Sequence, residues 1–383
     1  NSIGMLSFAD WSESRCIDRV TLTTANRSLA ESIKLWCSNK VVEFDWQQIP
    51  PNSDQKFSLR QIYAVLPPTL RAASFLLRHI LMFWSFRGVG LKYWRQSQKG
   101  ITFVSYLCNL NPKAAHQGRY VSRYWAQMPE VLMKAGHKTN WLHHYVKDSL
   151  LPDTCKAANL LRRFNRMGKN TQNHVALNSF LSIQIVLQAL LDWKRMALAA
   201  RRLESTLANS PQSCAYLWPL LADDWHESCF GPYAISNLLY LNLFETGLRA
   251  LPRQATGVYL QENQSWEMAL IHAWKAAGHG MLIGVQHSTV RFWDLRYFFD
   301  PRTYSRKRNN LLMPDLVALN GRAANDAYRS GGYPEEQIVQ VESLRYQYLA
   351  SNNCQKYKPV SLANPLNLLI LGDHLELNTQ TQL

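Results

Sequence analysis

The sequence holds no run of about 18 uncharged apolar residues, the least that a helix needs to cross a bilayer, so a membrane-spanning segment is not expected. Its first residues show no basic stretch leading into an apolar one, so no secretory leader is expected and a cytoplasmic location is. Cysteine is scarce. Cys16, Cys37, Cys108, Cys155, Cys214, Cys229 and Cys354 are scattered, odd in number and never spaced Cys-x-x-Cys, which argues against both a disulfide framework and a zinc site. Also missing are the P-loop, Gly-x-Gly-x-x-Gly, His-Glu-x-x-His and Gly-x-Ser-x-Gly patterns, which lowers the case for an NTPase, a dehydrogenase, a zincin or an α/β-hydrolase. Charged residues are few as well, 18% where about 25% is usual.

Aromatic residues and positive charge fill the gap. The 383 residues include 13 Trp and 17 Tyr, and a length beyond one ordinary core implies two domains or one domain with a large insertion. A formal charge of +15 should attract polyanions: nucleic acid, an anionic membrane surface or phosphorylated substrates. Short basic groups such as Arg162, Arg163 and Arg166, or Arg302, Arg306 and Arg308, read first as solvated helix faces and loops. Between Ala73 and Phe86 an apolar helical run is interrupted by Arg78 and His79 and followed by Lys92, Tyr93, Trp94 and Arg95. It reads first as a buried helix and second as one lying in a membrane interface, aromatics at headgroup depth and cations toward phosphates.

From residue 100 the pattern alternates. Ile101 to Leu107 is a β-branched and aromatic run ending at Asn109 and Pro112. Arg119 to Gly136 has helical spacing, and Thr139 to Val146 reads as a second strand. Residues 153 to 250 look mainly helical and are read as an insertion or helical layer. Strand and helix then alternate again through Val258, the helix around Trp266, Leu270 and Trp274, Met281 to Val285, Leu316 to Asn320, and Ile338 to Val341. Such alternation implies a parallel sheet covered on both faces. Three regions follow: residues 1–99 with the basic aromatic helix, 100–350 as an α/β domain with its helical insertion, and 351–383 as a linker and the start of a second such domain at Leu366.

In open parallel sheets ligands bind beyond the carboxyl ends of strands. Glu262 and Asn263 fall just after the Val258 strand, with Asn263 suited to cap the next helix and Glu267 in its first turn, there either functional or serving the helix dipole. The following strand delivers Gln286, His287 and Ser288, with Arg291 close behind, a set able to bind a phosphate or protonate a leaving group. Asp223, Asp224, Glu227 and Ser228 form a polar island that either supplies paired carboxylates for catalysis or caps the helix after Gly231. Asn140, His143 and His144, and Ser105, Tyr106 and Asn109, are weaker candidates at other strand ends.

Several phrases occur in order: Phe103-Val-Ser-Tyr-Leu, Gly118-Arg-Tyr-Val-Ser-Arg-Tyr-Trp, Thr139-Asn-Trp-Leu-His, Asp224-Trp-His-Glu-Ser-Cys-Phe-Gly, Glu262-Asn-Gln-Ser-Trp-Glu and Gly284-Val-Gln-His-Ser. Together they resemble a bacterial surface-carbohydrate biosynthesis family found with lipopolysaccharide, O-antigen and capsule genes, over roughly residues 100 to 345. The resemblance implies a GT-B glycosyltransferase, two Rossmann-like domains around a cleft, with the second only partly represented in this chain. That family is distantly similar to retaining β-Kdo transferases, which implies a CMP-activated sugar such as CMP-Kdo as donor, no further cofactor, and a carboxylate nucleophile. Asp224 or Glu262 would then attack the anomeric carbon while the other serves as acid/base, with His287 and Ser288 steadying the departing phosphate. Asn263, Gln286, Arg291, Ser228, Glu267 and His143 complete the expected substrate-binding set. The chain has no Asp-x-Asp metal clamp, which suits a metal-independent reaction. The expected partners are the nucleotide sugar, a glycan or lipid-linked glycan acceptor, and the inner face of a Gram-negative inner membrane through peripheral contact. Nucleic acid is not expected. The alternatives are another nucleotide-sugar enzyme such as an epimerase, or a non-catalytic basic module for anionic lipid or nucleic acid.

Overall fold

A computed structural model describes residues 2–49, 62–63, 65–168, 171–208, 215–286, 290, 295–300 and 312–344. The chain divides into two compact units, Asn1–Arg345 and Tyr346–Leu383; the second, which holds the expected start of another domain, lies outside the described residues.

The first elements are α1 (Ser2–Glu13), β1 (Arg19–Thr24), α2 (Arg27–Lys40) and β2 (Glu43–Gln48). β1 and β2 pair in parallel as a small sheet of their own. Asn26 caps α2 by accepting from Leu29 N at 3.0 Å. The core of this unit, Met5, Ile33, Trp36 and Cys37, is completed by Tyr216 and Leu217 from far along the chain.

Next come α3 (Pro68–Phe83), β3 (Ile101–Leu107), β4 (Thr139–Tyr145), α4 (Thr154–Met167), β5 (Gln172–Ala176), α5 (Ile183–Ala208), α6 (Trp218–Cys229), α7 (Pro232–Arg249), β6 (Thr256–Gln261), α8 (Ser265–Ala276), β7 (Met281–Gln286), β8 (Leu316–Asn320), α9 (Arg322–Ser330) and β9 (Ile338–Val341). Strands β3 to β9 form one sheet in the order β5-β4-β3-β6-β7-β8-β9, every neighbouring pair parallel. Helices cover both faces, so the protein is a doubly wound, Rossmann-like α/β fold. Alternate residues of one strand serve opposite cores. Val104 joins Leu142, Val175, Tyr259 and Leu282 under α3, α5, α7 and α8, whereas Phe103 and Leu107 join Trp141 and Leu260 under α4.

Four expectations change at this level. α3 and Trp94 belong to the large core with Val104 and Leu142, so residue 99 is no physical boundary. The region expected as a helical insertion contains β5, an integral edge strand of the sheet. Its polar residues are buried by pairing: Asn173 Nδ2 donates to Asn140 Oδ1 at 3.0 Å, and His174 faces His143. Helix between Arg119 and Gly136 is confined to Met128–Lys134, because Ser122 bridges to Leu110 and Trp125 Nε1 donates to Ser105 Oγ at 2.9 Å, holding the first part extended and turned. The polar island at Asp223 is itself helical, on α6, which Pro219 starts at its first turn.

At the amino end of the sheet, buried Gln254 accepts from Gly100 N at 3.0 Å and from Asn140 Nδ2 at 3.1 Å, and donates to Pro252 O at 2.6 Å. One side chain thus ties the starts of β3, β4 and β6. Among the described residues no helix is long and apolar enough to cross a membrane.

Candidate active site

The strand order reverses between β3 and β6. β3 leads outward to β4 and β5 and β6 leads the other way to β7, β8 and β9, the reversal at which open α/β sheets form a ligand crevice beyond the carboxyl ends of their strands. The two strands end alike. β3 runs into Leu107-Cys108-Asn109 and β6 into Gln261-Glu262-Asn263, and both asparagines adopt positive φ, 51° and 56°. Asparagine is among the few side chains that tolerate this left-handed backbone, which turns each chain sharply out of the sheet.

Across the crevice Tyr106 Oη donates to Glu262 Oε2 at 3.0 Å, joining residues 156 positions apart. Burial, then the neighbouring Glu262 charge, pushes the Tyr106 phenol well above its usual range, so it remains a donor at any physiological pH. Trp266 forms the wall, meeting the Tyr106 ring edge-on at 6.2 Å and His144 at 4.3 Å. On the β3 side Asn109 Nδ2 donates to Tyr124 Oη at 2.7 Å, Asn109 N donates to Asp148 Oδ2 at 3.2 Å, and the Cys108 thiol lies 3.9 Å from Tyr124 Oη. Burial raises that thiol, so it is no ready nucleophile.

The elbow after β6 is braced from within. Glu267, almost wholly buried in the first turn of α8, accepts from Glu262 N at 2.8 Å and Gln264 N at 2.9 Å through one oxygen. Burial pushes its carboxyl up to about 8, with the Glu262 charge adding to the rise and the two backbone donors and Arg296 opposing it. Gln261 Nε2 donates to Asn263 Oδ1 at 3.1 Å, Asn263 Nδ2 to Arg296 O at 2.9 Å, and Arg296 Nη1 to Glu262 O at 3.1 Å. Gly284 on β7 makes room for this, since a Cβ there would stand 2.8 Å from Gln261 Oε1. The resulting arrangement is a half-buried carboxylate, oriented by a phenol, with a cation at the rim. It suits proton transfer or nucleophilic attack on a ligand lying across the strand ends.

The other expected residues are placed as follows. Asn263 is not the helix cap: Gln264 holds that position, and Asn263 instead carries the left-handed turn. Gln286 is buried and its Oε1 accepts from Asn320 N at 3.5 Å, so it fastens β7 to β8. His143 does not face the crevice. It is fully buried toward α4, its Nε2 3.1 Å from His174 Nδ1, and burial together with His144 lowers it to about 3, leaving it neutral. Asn140 sits at the amino end of β4, where Gln254 holds it. Asp224 and Ser228 are exposed on α6, and Asp224 takes part in no hydrogen bond or ion pair among the described residues. Glu227 pairs with Arg71 of α3. His287, Ser288 and Arg291 lie outside the described residues. Sequence reasoning ranked Tyr106 low and passed over Cys108, Tyr124, Asp148, Trp266 and Arg296 as site residues. The repeated strand-x-Asn ending of β3 and β6 was the one signal that pointed to the pair.

Fold and crevice together define the class, a doubly wound α/β protein with a polar, carboxylate-bearing site at its switch point. No family model, curated protein or solved structure matches the chain.

Proposed function

We propose that the protein is a glycosyltransferase that takes a nucleotide-activated sugar at the switch-point crevice, with Glu262 as its reacting carboxylate. The observation that carries this reading is the Tyr106–Glu262 hydrogen bond, which holds a carboxylate at the one place where this topology opens a ligand crevice. Support for the sugar comes from the ordered phrases that resemble surface-carbohydrate glycosyltransferases, with a CMP-linked ulosonic acid such as Kdo as donor and a bacterial surface glycan as acceptor at the cytoplasmic side of the inner membrane.

In this reading Glu262 attacks the anomeric carbon, the bond to the phosphate oxygen breaks, and the nucleotide leaves with the electron pair. The acceptor hydroxyl then displaces Glu262 and yields its proton to a base. Arg296 at the rim offsets the phosphate charge, a role for which the sequence also offers Arg291 and His287. Tyr106 orients Glu262 and stabilises it as an anion, and Glu267 sets the backbone from which it projects.

The test is a thermal-shift series with CMP-, UDP-, GDP- and dTDP-sugars, followed by measurement of free nucleotide. One nucleotide class should raise the melting temperature by mass action and be released slowly from its sugar. If none stabilises the protein and none is hydrolysed, the reading fails.

A further inference from the structure

α3 is apolar on both sides. Its inner stripe, Ala72, Phe75, Leu76, Ile80 and Phe83, packs into the large core, and buried His79 is satisfied by Asn178 Oδ1 at 2.9 Å. Its outer side exposes Leu70, Leu77, Leu81 and Met82, followed by Trp84, with Leu77 61% and Leu81 71% exposed. Positions 70, 77, 81 and 84 recur on one face of the helix, so these side chains form a line and are not scattered singles. A helix apolar all round is normally covered on every side.

Charge identifies the cover. The 75 residues between Asp54 and Glu130 contain eleven Lys or Arg and no Asp or Glu. The described carboxylate that meets α3 is Glu227, which pairs with Arg71 at its first turn. Further along, Arg78, Arg87, Lys92 and Arg95 are exposed, and the Arg87 guanidinium lies over the Trp84 ring 4.8 Å from its centroid. Leucines flanked by arginine and an amphipathic tryptophan match the boundary between acyl chains and phosphate headgroups. At 16 residues the helix is about 24 Å long, shorter than the roughly 30 Å hydrocarbon core, so it lies along a bilayer and does not cross it.

We propose that the outer face of α3, from Leu70 to Trp84 with Arg78 and Arg87, seats on an anionic phospholipid surface. Neither the crevice chemistry nor the sugar enters this inference, so it stands or falls apart from the glycosyl-transfer reading. A protein partner of opposite charge and a second copy of the chain are the competing occupants, and the test separates them.

The whole chain is floated with vesicles of phosphatidylcholine alone or phosphatidylcholine mixed with phosphatidylglycerol. Binding should be confined to the mixed vesicles and fall steeply as salt rises. Leu77→Asp with Leu81→Asp should abolish it while the melting temperature holds, both side chains being exposed; Arg78→Gln and Arg87→Gln should each weaken it about fivefold. Absence of binding to the mixed vesicles overturns the proposal, as does equal binding to both vesicle types or full binding by the double leucine variant. Should the wild type instead form a dimer that the double variant cannot, with no vesicle binding, the face belongs to a second copy.

Discussion

Two acidic clusters differ in what lies beneath them. Glu262 and Glu267 stand where β6 gives way to α8, one held by a phenol from the neighbouring strand and the other sealed under the backbone it supports. Asp223, Asp224 and Glu227 ride on α6, where the two aspartates face water and Glu227 meets Arg71. A carboxylate on an exposed helix face keeps its hydration, whereas Glu262 at its strand end is half-buried and aimed by Tyr106. Position in the topology, not local acidity, separates the two clusters.

The comparison can be broken most directly at Glu262. Glu262→Gln should lower kcat/KM for sugar transfer by about 10⁴–10⁶-fold, the worth of a lost nucleophile, with the melting temperature little changed. A loss under tenfold would remove Glu262 from the chemistry.

Next in size is the pH dependence of stability carried by Glu267. Its folded value is raised from 4.5 to about 8, so the stabilising protonated state is fully present below 4.5 and is lost as pH rises toward 8. Wild-type stability should therefore decline across that window by an amount on the order of a few kcal/mol. Glu267→Gln, which keeps an acceptor for both backbone donors, should flatten the decline in denaturant titrations run at several pH values. An unchanged slope would show that another group carries it.

Tyr106→Phe should cost about tenfold in kcat, one hydrogen bond to a charged group, and should move the pH-rate profile upward as Glu262 loses its donor. An unchanged kcat and an unmoved profile would assign Tyr106 to packing alone. The smallest effects belong to α6. Asp224→Asn should leave activity within twofold of wild type, and Glu227→Gln should cost about 1 kcal/mol in unfolding experiments through its partly buried pair with Arg71. Loss of transfer in Asp224→Asn with folding intact would erase the distinction between the clusters and restore Asp224 as a reacting group.

The central strands were legible because parallel strands buried on both faces are rich in apolar and β-branched residues, as Ile101 to Leu107 and Met281 to Val285 are. β5 was not, since Gln172-Asn-His-Val-Ala has the composition of a loop and becomes a strand only where Asn140 and His143 supply partners for Asn173 and His174. The place of Glu262, just after a strand, was legible. Its partner was not: Tyr106 reaches Glu262 only because β6 lies beside β3, a strand order that no local pattern encodes. Asn263 was misread as a cap because a short polar side chain suits both a cap and a left-handed turn, and only the backbone tells them apart.

Gln254 at the opposite end of the sheet bears on all of this. By fixing where β3 and β6 begin, it fixes their alignment, Ile101 beside Thr256 and Val104 beside Tyr259. From Ile101 to Tyr106 the strand rises about 16 Å. The crevice is thus calibrated from the far side of the domain, like a vernier whose zero is set at one end and read at the other. A slip of one notch at Gln254 would carry the Tyr106 hydroxyl out of reach of Glu262 with no residue of the crevice itself replaced.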